Sequence, residues 1–239
     1  MTIGHFYRKS IAEAEFFVKD RLRYCFSVAA NAKPKVSERT KRRRPKGTVR
    51  TAAIEAAQAA ITKAGVPDFT LRQIADRIGV VHSALYRHFP NRASLVAAVA
   101  EQGFRALLLQ VDQALSEAPI GAAACLKHLC HTYLRFALSN APLYKVMFGP
   151  EVVPFDVEGT EFHTAASAVL EVALGAVASC QREGAVRGAD PMAPGLVFWA
   201  TLHGVAMLAI DGRLQLKLGL NGTVDQLLDL ALEALLRGL

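Results

Sequence analysis

Between residues 70 and 99 the apolar positions fall into helical registers separated by turn residues. Leu71, Ile74, Ala75 and Ile78 recur at i, i+3, i+4 and i+7, one buried face, with Asp76 and Arg77 left on the wet side. Thr70 and Gln73 have the spacing of a capping box, and Gly79 supplies the positive φ that ends the helix. A second helix, over about 81–89, turns Val80, Leu85 and Phe89 inward. His82, Ser83, Tyr86, Arg87 and His88 stay outward or at the rim. Val81 is a poor cap, so the start of this helix is open by a residue or two, with Ser83 the other candidate. Pro90 stops it, and Asn91 caps the next helix, whose Leu95, Val96 and Val99 pack underneath. The small Ala75 lies four residues before Gly79, and Leu85 follows six later, which is a helix-turn-helix skeleton. Its outward side chains suit phosphates and base edges.

The same patterning predicts helices over 48–64 (Ile54, Ala57, Ile61 and Ala64 inward), 92–114, 121–140, 142–148, 161–183 and 193–218, with a loop over 150–160. The last helix opens on a second capping box, Thr223 with Gln226, and carries Leu227, Leu228, Leu230, Ala231, Leu235 and Leu236. Alanine and leucine dominate and bounded β-branched runs are scarce, so the fold class is all-α. The expected organisation is an extension over 1–47, a three-helix head over 48–110 and a helical second domain over 111–239, with the helix from 92 reaching across both.

Charge sharpens this division. Residues 1–47 carry 13 basic and 4 acidic groups, 48–110 carry 7 and 4, and 111–239 carry 8 and 13, for a net +7. A basic front and an acidic back suit a protein whose first part sits on phosphates. Arg42, Arg43 and Arg44, in a basic arm just before the first helix, are candidate phosphate or minor-groove contacts. Glu13, Glu15, Lys19, Asp20, Arg21 and Arg23 interrupt the N-terminal stretch, which argues against a signal peptide. A start downstream, near Val36, is the alternative origin for these first residues. Four scattered cysteines without a CxxC fit a reducing cytoplasm, and no uninterrupted apolar run reaches the ~18 residues of a membrane helix.

The stretch LRQIADRIGVVHSALYRHFPNRASL resembles the DNA-binding region of tetracycline-repressor (TetR) family transcription regulators, through Ala75 and Gly79, Gly79-Val80, Leu85-Tyr86, the run Tyr86 to Phe89 and Leu95. The resemblance implies that Thr70, Leu71 and Arg72 approach phosphates and that His82, Ser83 and Ala84 read the major groove. It also implies that Tyr86 and His88 contact phosphates, as does Arg92 where the family usually has Lys. Trp199, His203 and Gly204, together with Leu143 to Phe148, resemble the C-terminal domain of a subgroup named for its Trp-His-Gly signature.

Such heads read two half-sites, so the expected partners are double-stranded DNA with a palindromic operator and a second copy of the chain. Leu202, Ala206, Ile210, Leu227, Leu230 and Ala234 are the candidate dimer seam. Tyr133, Phe136, Tyr144, Met147, Phe148, Phe162, Cys180, Trp199, His203 and Met207 form a candidate apolar ligand lining. The resemblance implies that a small effector there releases DNA through the fourth helix. Cys125, His128, His131 and Cys130 do not complete a metal site on one helix, so no metal and no cofactor is expected. Without HExxH, GxSxG or a glycine-rich phosphate loop, an enzyme is not expected either. The alternatives are an architectural binder using charge alone, or an activator with the same head.

Overall fold

The computed structural model describes residues 47–188, 190–214 and 223–238. Among these the chain forms nine α-helices and no strand: α1 Gly47–Ala64, α2 Leu71–Ile78, α3 His82–Tyr86, α4 Arg92–Ser116, α5 Ala122–Ser139, α6 Ala141–Met147, α7 Glu161–Arg182, α8 Met192–Ile210 and α9 Val224–Gly238. A single 3-10 turn, Val153–Phe155, interrupts the link from α6 to α7. Arg42, Arg43 and Arg44 lie outside the described residues, as do the rest of the extension up to residue 46 and the end of the helix expected to reach 218.

Local signals set the element ends. The Thr70 hydroxyl accepts from the Gln73 N–H at 3.2 Å, and the Thr70 N–H donates to Gln73 Oε1 at 2.7 Å. Gly79, at φ 69°, lets the Val80 N–H reach the Ala75 carbonyl at 3.0 Å and swings the chain into α3. Asn91 Oδ1 caps α4 by accepting from the Ser94 N–H at 2.8 Å, and Thr223 and Gln226 close the second capping box at the start of α9. Three expectations are corrected here. Helix α3 begins at His82 with Val81 as an N-cap that makes no side-chain bond, so Ser83 is inside the helix and caps nothing. Ala64, expected inward, is exposed in the last turn of α1. Helix α8 ends at Ile210, because Gly212 turns into the left-handed region at φ 65° with its N–H on the Ala209 carbonyl.

The head is a small wedge around Ile54, Ala57, Ile61, Leu71, Ile74, Ala75, Leu85 and Phe89, all buried. Helix α4 leaves it and runs through the second half, where α5, α6 and α7 pack along its length. At the α4–α6 crossing a Cβ on Gly103 would come within 2.7 Å of Met147 Sδ, so a larger residue there would have to displace the Met147 side chain. Helices α8 and α9 complete the layer against α5. Helices α4, α7 and α8 are long and apolar enough by length and composition to cross a membrane, with mean hydropathies of 1.2, 1.4 and 1.6. That corrects the expectation from uninterrupted runs, since many alanines raise an average without making a run.

Candidate nucleic-acid interface and cavity

The recognition turn is built from opposite requirements on neighbouring residues. Leu85 and Phe89 are buried and pin α3 to the head, and Arg50 lies over the Phe89 ring at 5.9 Å. With that side fixed, Thr70, Arg72, Ser83, Tyr86, Arg87 and His88 are all exposed, and His82 is half-buried with Nε2 3.0 Å from Asp76 Oδ1. Ala84 is half-buried between them. Leu71, expected beside Thr70 in phosphate contact, has its side chain in the core at 5% exposure, so only its backbone can face a phosphate. This surface offers hydroxyl, imidazole and guanidinium groups, with one carboxylate, Asp76, bound to His82 at its edge, which suits phosphate oxygens and base edges.

Arg92 also has partners inside the protein. Its guanidinium donates to the Pro67 carbonyl in the α1–α2 loop and to Glu151 Oε1 beyond α6, so two of its five N–H donors are engaged within the protein. Sequence spacing hides this, because the two partners lie 25 and 59 residues away. Arg50 in α1 makes a parallel tie, 3.8 Å from the buried Glu101 of α4 and 3.9 Å from Glu161 at the start of α7. Two arginines thus fasten the head to the acidic stretch that leads from α6 to α7.

That stretch is also a wall of a cavity of about 280 Å³, lined by Phe104, Met147, Phe148, Val152, Phe162 and Trp199 among others, with Asp156 and Ser167 at its polar edge. A second, smaller void of about 50 Å³ lies behind Trp199 and Val169, bounded by Val111, Leu126, Tyr133 and Phe198. Phe148 and Trp199 have centroids 6.5 Å apart, and Trp199 stacks on His203 at 5.8 Å and 22°. Beneath them a relay runs from Tyr133 to Tyr144 at 2.7 Å and from Tyr144 to His203 Nδ1 at 2.7 Å. Burial raises both phenols above the usual tyrosine range and lowers His203 below the usual histidine range, so all three are neutral.

Of the ten expected lining residues, Met147, Phe148, Phe162 and Trp199 border the larger void and Tyr133 and Trp199 the smaller one. Tyr144 and His203 form the relay behind the lining. Phe136 and Cys180 border neither void and are core, and burial pushes the Cys180 thiol up to about 11, an unreactive value. Met207 is half-buried and borders neither void. Sequence reasoning missed Phe104, Val152, Asp156 and Ser167. Phe104 had only a helical register to mark it, and the others sit in a stretch read as loop or on a helix face fixed by packing alone.

The candidate seam divides. Leu202 and Ala206 are inside the protomer, a correction to their expected outward role, because that face of α8 packs on its own core. Ile210 and Leu227 are half-buried, while Leu230 and Ala234 stand outward on α9. The outward face of α8 is instead Ala193, Val197, Ala200, Gly204 and Leu208, spaced by three or four residues. His131, expected to be short of a metal site, is held by Asp225 at 3.0 Å and Asp229 at 2.7 Å, which ties α5 to α9.

Family models match two segments: "Bacterial regulatory proteins, tetR family" over residues 53–99, and "Tetracyclin repressor-like, C-terminal domain" over 126–235. No curated protein matches in sequence. Among solved structures, a protein of unknown function from Rhodococcus sp. RHA1 is 31% identical, with 80% of this chain and 95% of that one covered at a TM-score of 0.69. The TetR family transcriptional regulator PfmR from Thermus thermophilus is 16% identical, with 78% and 98% covered at a TM-score of 0.54. FadR from Bacillus subtilis, solved with stearoyl-CoA, is 14% identical, with 79% and 98% covered at a TM-score of 0.60. The last two share the fold. With a helix-turn-helix head and a helical second half both matched in one chain, the protein belongs to the TetR family of bacterial transcriptional regulators.

Proposed function

We propose that this protein is a dimeric repressor that binds a palindromic operator and is released from it by a small apolar or aromatic ligand in the cavity beside Trp199. It acts in the cytoplasm. The observation that carries the reading is that Arg92 and Arg50 fasten the head to residues 151 and 161, the same stretch that walls the cavity. A ligand that displaces this wall has a short physical route to the head. DNA contact falls to Thr70, the Leu71 backbone, Arg72, His82, Ser83, Ala84, Tyr86, Arg87 and His88, with residues 1–47 as a basic extension, 48–110 as the DNA-binding unit and 111–239 as the ligand-binding and dimer unit.

The dimer is supported by Gly204. A Cβ there would meet nothing within 4 Å, so the protomer itself gives no reason for glycine in mid-helix. A second copy crossing α8 closely gives one, and Val197, Ala200 and Leu208 flank it as apolar contacts. The Trp199–His203 stack next to Gly204 is the feature that supports the Trp-His-Gly subgroup.

The test is binding at ~150 mM salt to the DNA upstream of its own gene against a scrambled duplex of equal length. A repressor of this kind binds the first at least ~10³ more tightly and loses at least ~10-fold on Tyr86→Ala with no change in melting temperature. Equal binding to both duplexes, and to duplexes chosen by random-sequence selection, would favour an architectural binder. Release of transcription on adding protein rather than ligand would make the same head an activator.

A further inference from the structure

We propose that the larger cavity selects an organic cation, a quaternary or substituted ammonium carrying an apolar body; this rests on its being the effector site. The walls supply the first argument. Phe162, Phe104, Phe148 and Trp199 form a continuous series of rings, with Phe104 edge-to-face to Phe148 at 5.2 Å and 80° and to Phe162 at 5.6 Å and 88°. All four border the same void. Perpendicular rings present π faces from different directions, and the negative face of an aromatic ring attracts a cation.

Charge supplies the second argument. Of the residues lining the void, Asp156 alone is ionisable, and neither lysine nor arginine is among them. His163 Nδ1 is 2.7 Å from Asp156 Oδ1, and its Nε2 is 3.3 Å from Ser167 Oγ, so the carboxylate is held in position at the rim by a side chain that is itself held. The nearby guanidiniums are taken up elsewhere, Arg92 on Glu151 and Arg50 on Glu101 and Glu161. An anionic ligand would meet Asp156 with no lysine or arginine in the lining and only His163, already bound to that carboxylate, beside it, whereas a neutral ligand would use the rings but gain nothing from the carboxylate. A weakly hydrated ammonium uses both.

Trp199 is the only tryptophan in the chain and borders the void, so its fluorescence reports occupancy directly. Three probes of one shape but different charge are titrated against the full-length protein: benzyltrimethylammonium, neopentylbenzene and benzylsulfonate. The cation should bind about tenfold more tightly than either of the others. Asp156→Asn should remove most of that advantage and leave neopentylbenzene unchanged. Because the wild-type comparison stands by itself, the test survives a variant that folds poorly. Equal or tighter binding of the neutral or anionic probe overturns the cation assignment and leaves the effector-site reading intact. Cation binding that Asp156→Asn does not weaken overturns it too. If none of the three perturbs Trp199 up to millimolar concentration, both readings fail.

Discussion

In the head, Tyr86 stands 52% exposed beside a fully buried Leu85; in the second half, Tyr144 is fully buried with its hydroxyl between Tyr133 and His203. The head hides aliphatic side chains together with Phe69 and Phe89, and displays Tyr86, Arg87 and His88 on one turn. The second half gathers Phe104, Tyr133, Phe148, Phe162 and Trp199 around two voids and displays aliphatic and small residues along α8 and α9. Polar rings turned outward await a partner that brings phosphates and base edges. Rings turned inward around empty volume await one small enough to enter. The apolar outer stripe of α8 has neither, and is where the proposed second copy of the chain would sit.

The largest effect should come from the side that only supports. Leu85→Ala removes a fully buried side chain from a small core, at a cost of about 3 kcal/mol. Denaturant melting should register that loss along with lost DNA binding, and a cost under about 1 kcal/mol would mean that the recognition turn is not anchored as described. Next is Gly204→Leu, which adds a side chain to open space. Helix content and melting of the single chain should hold while the dimer dissociation constant rises about a hundredfold in sedimentation, the scale of an interface hot spot. An unchanged dimer would move the seam off this face.

The legibility of the chain follows the same divide. Thr70 with Gln73, Gly79, Asn91 and Thr223 with Gln226 specify their elements through neighbours within four residues, so the head and the element order could be read directly. The cavity could not, because Phe104, Phe148, Asp156 and Trp199 meet only after four elements pack, and no local pattern separates a ring that borders a void from one in solid core such as Phe136. The tie that Arg92 makes is hidden for the same reason, its charge being visible in the sequence and its partner Glu151 not. For α8 the apolar pattern runs almost all round, so periodicity does not say which face is inward, and the expected seam puts Leu202 and Ala206 on the outer face where the fold buries them.

Two smaller effects test how the halves are joined. Glu151→Gln keeps the shape but takes the charge from the Arg92 tie; with both side chains about a third exposed, the loss should be about 0.5–1 kcal/mol, a melting shift of a few degrees. The sharper readout is that ligand should still perturb Trp199 but release DNA less completely, and unchanged release would exclude this tie from the coupling. The smallest is a pH effect. His203 has a lowered pKa in the folded chain, so below the unfolded value of about 6.5 the unfolded chain holds more protons, and stability present above that value declines as the pH falls through it. Thermal melts between pH 7.5 and 5.5 should show this slope, and His203→Gln should flatten it.

Helix α4 has a dimension that bears on how DNA would experience all this. Its 25 residues make a rod of about 37 Å. If its far end is held by α5, α6 and α7, a tilt of about 5° carries the head end through about 3 Å, close to the ~3.4 Å advance from one base pair to the next. Two heads tilting in opposite senses would miss their half-sites by about two steps of the double helix. On the proposed reading, a ligand no larger than a few rings would need to bend nothing and unfold nothing; angular gearing would convert a shift of about 1.7 Å beside Gly103 and Met147, midway along the rod, into a whole-number error of register on the operator.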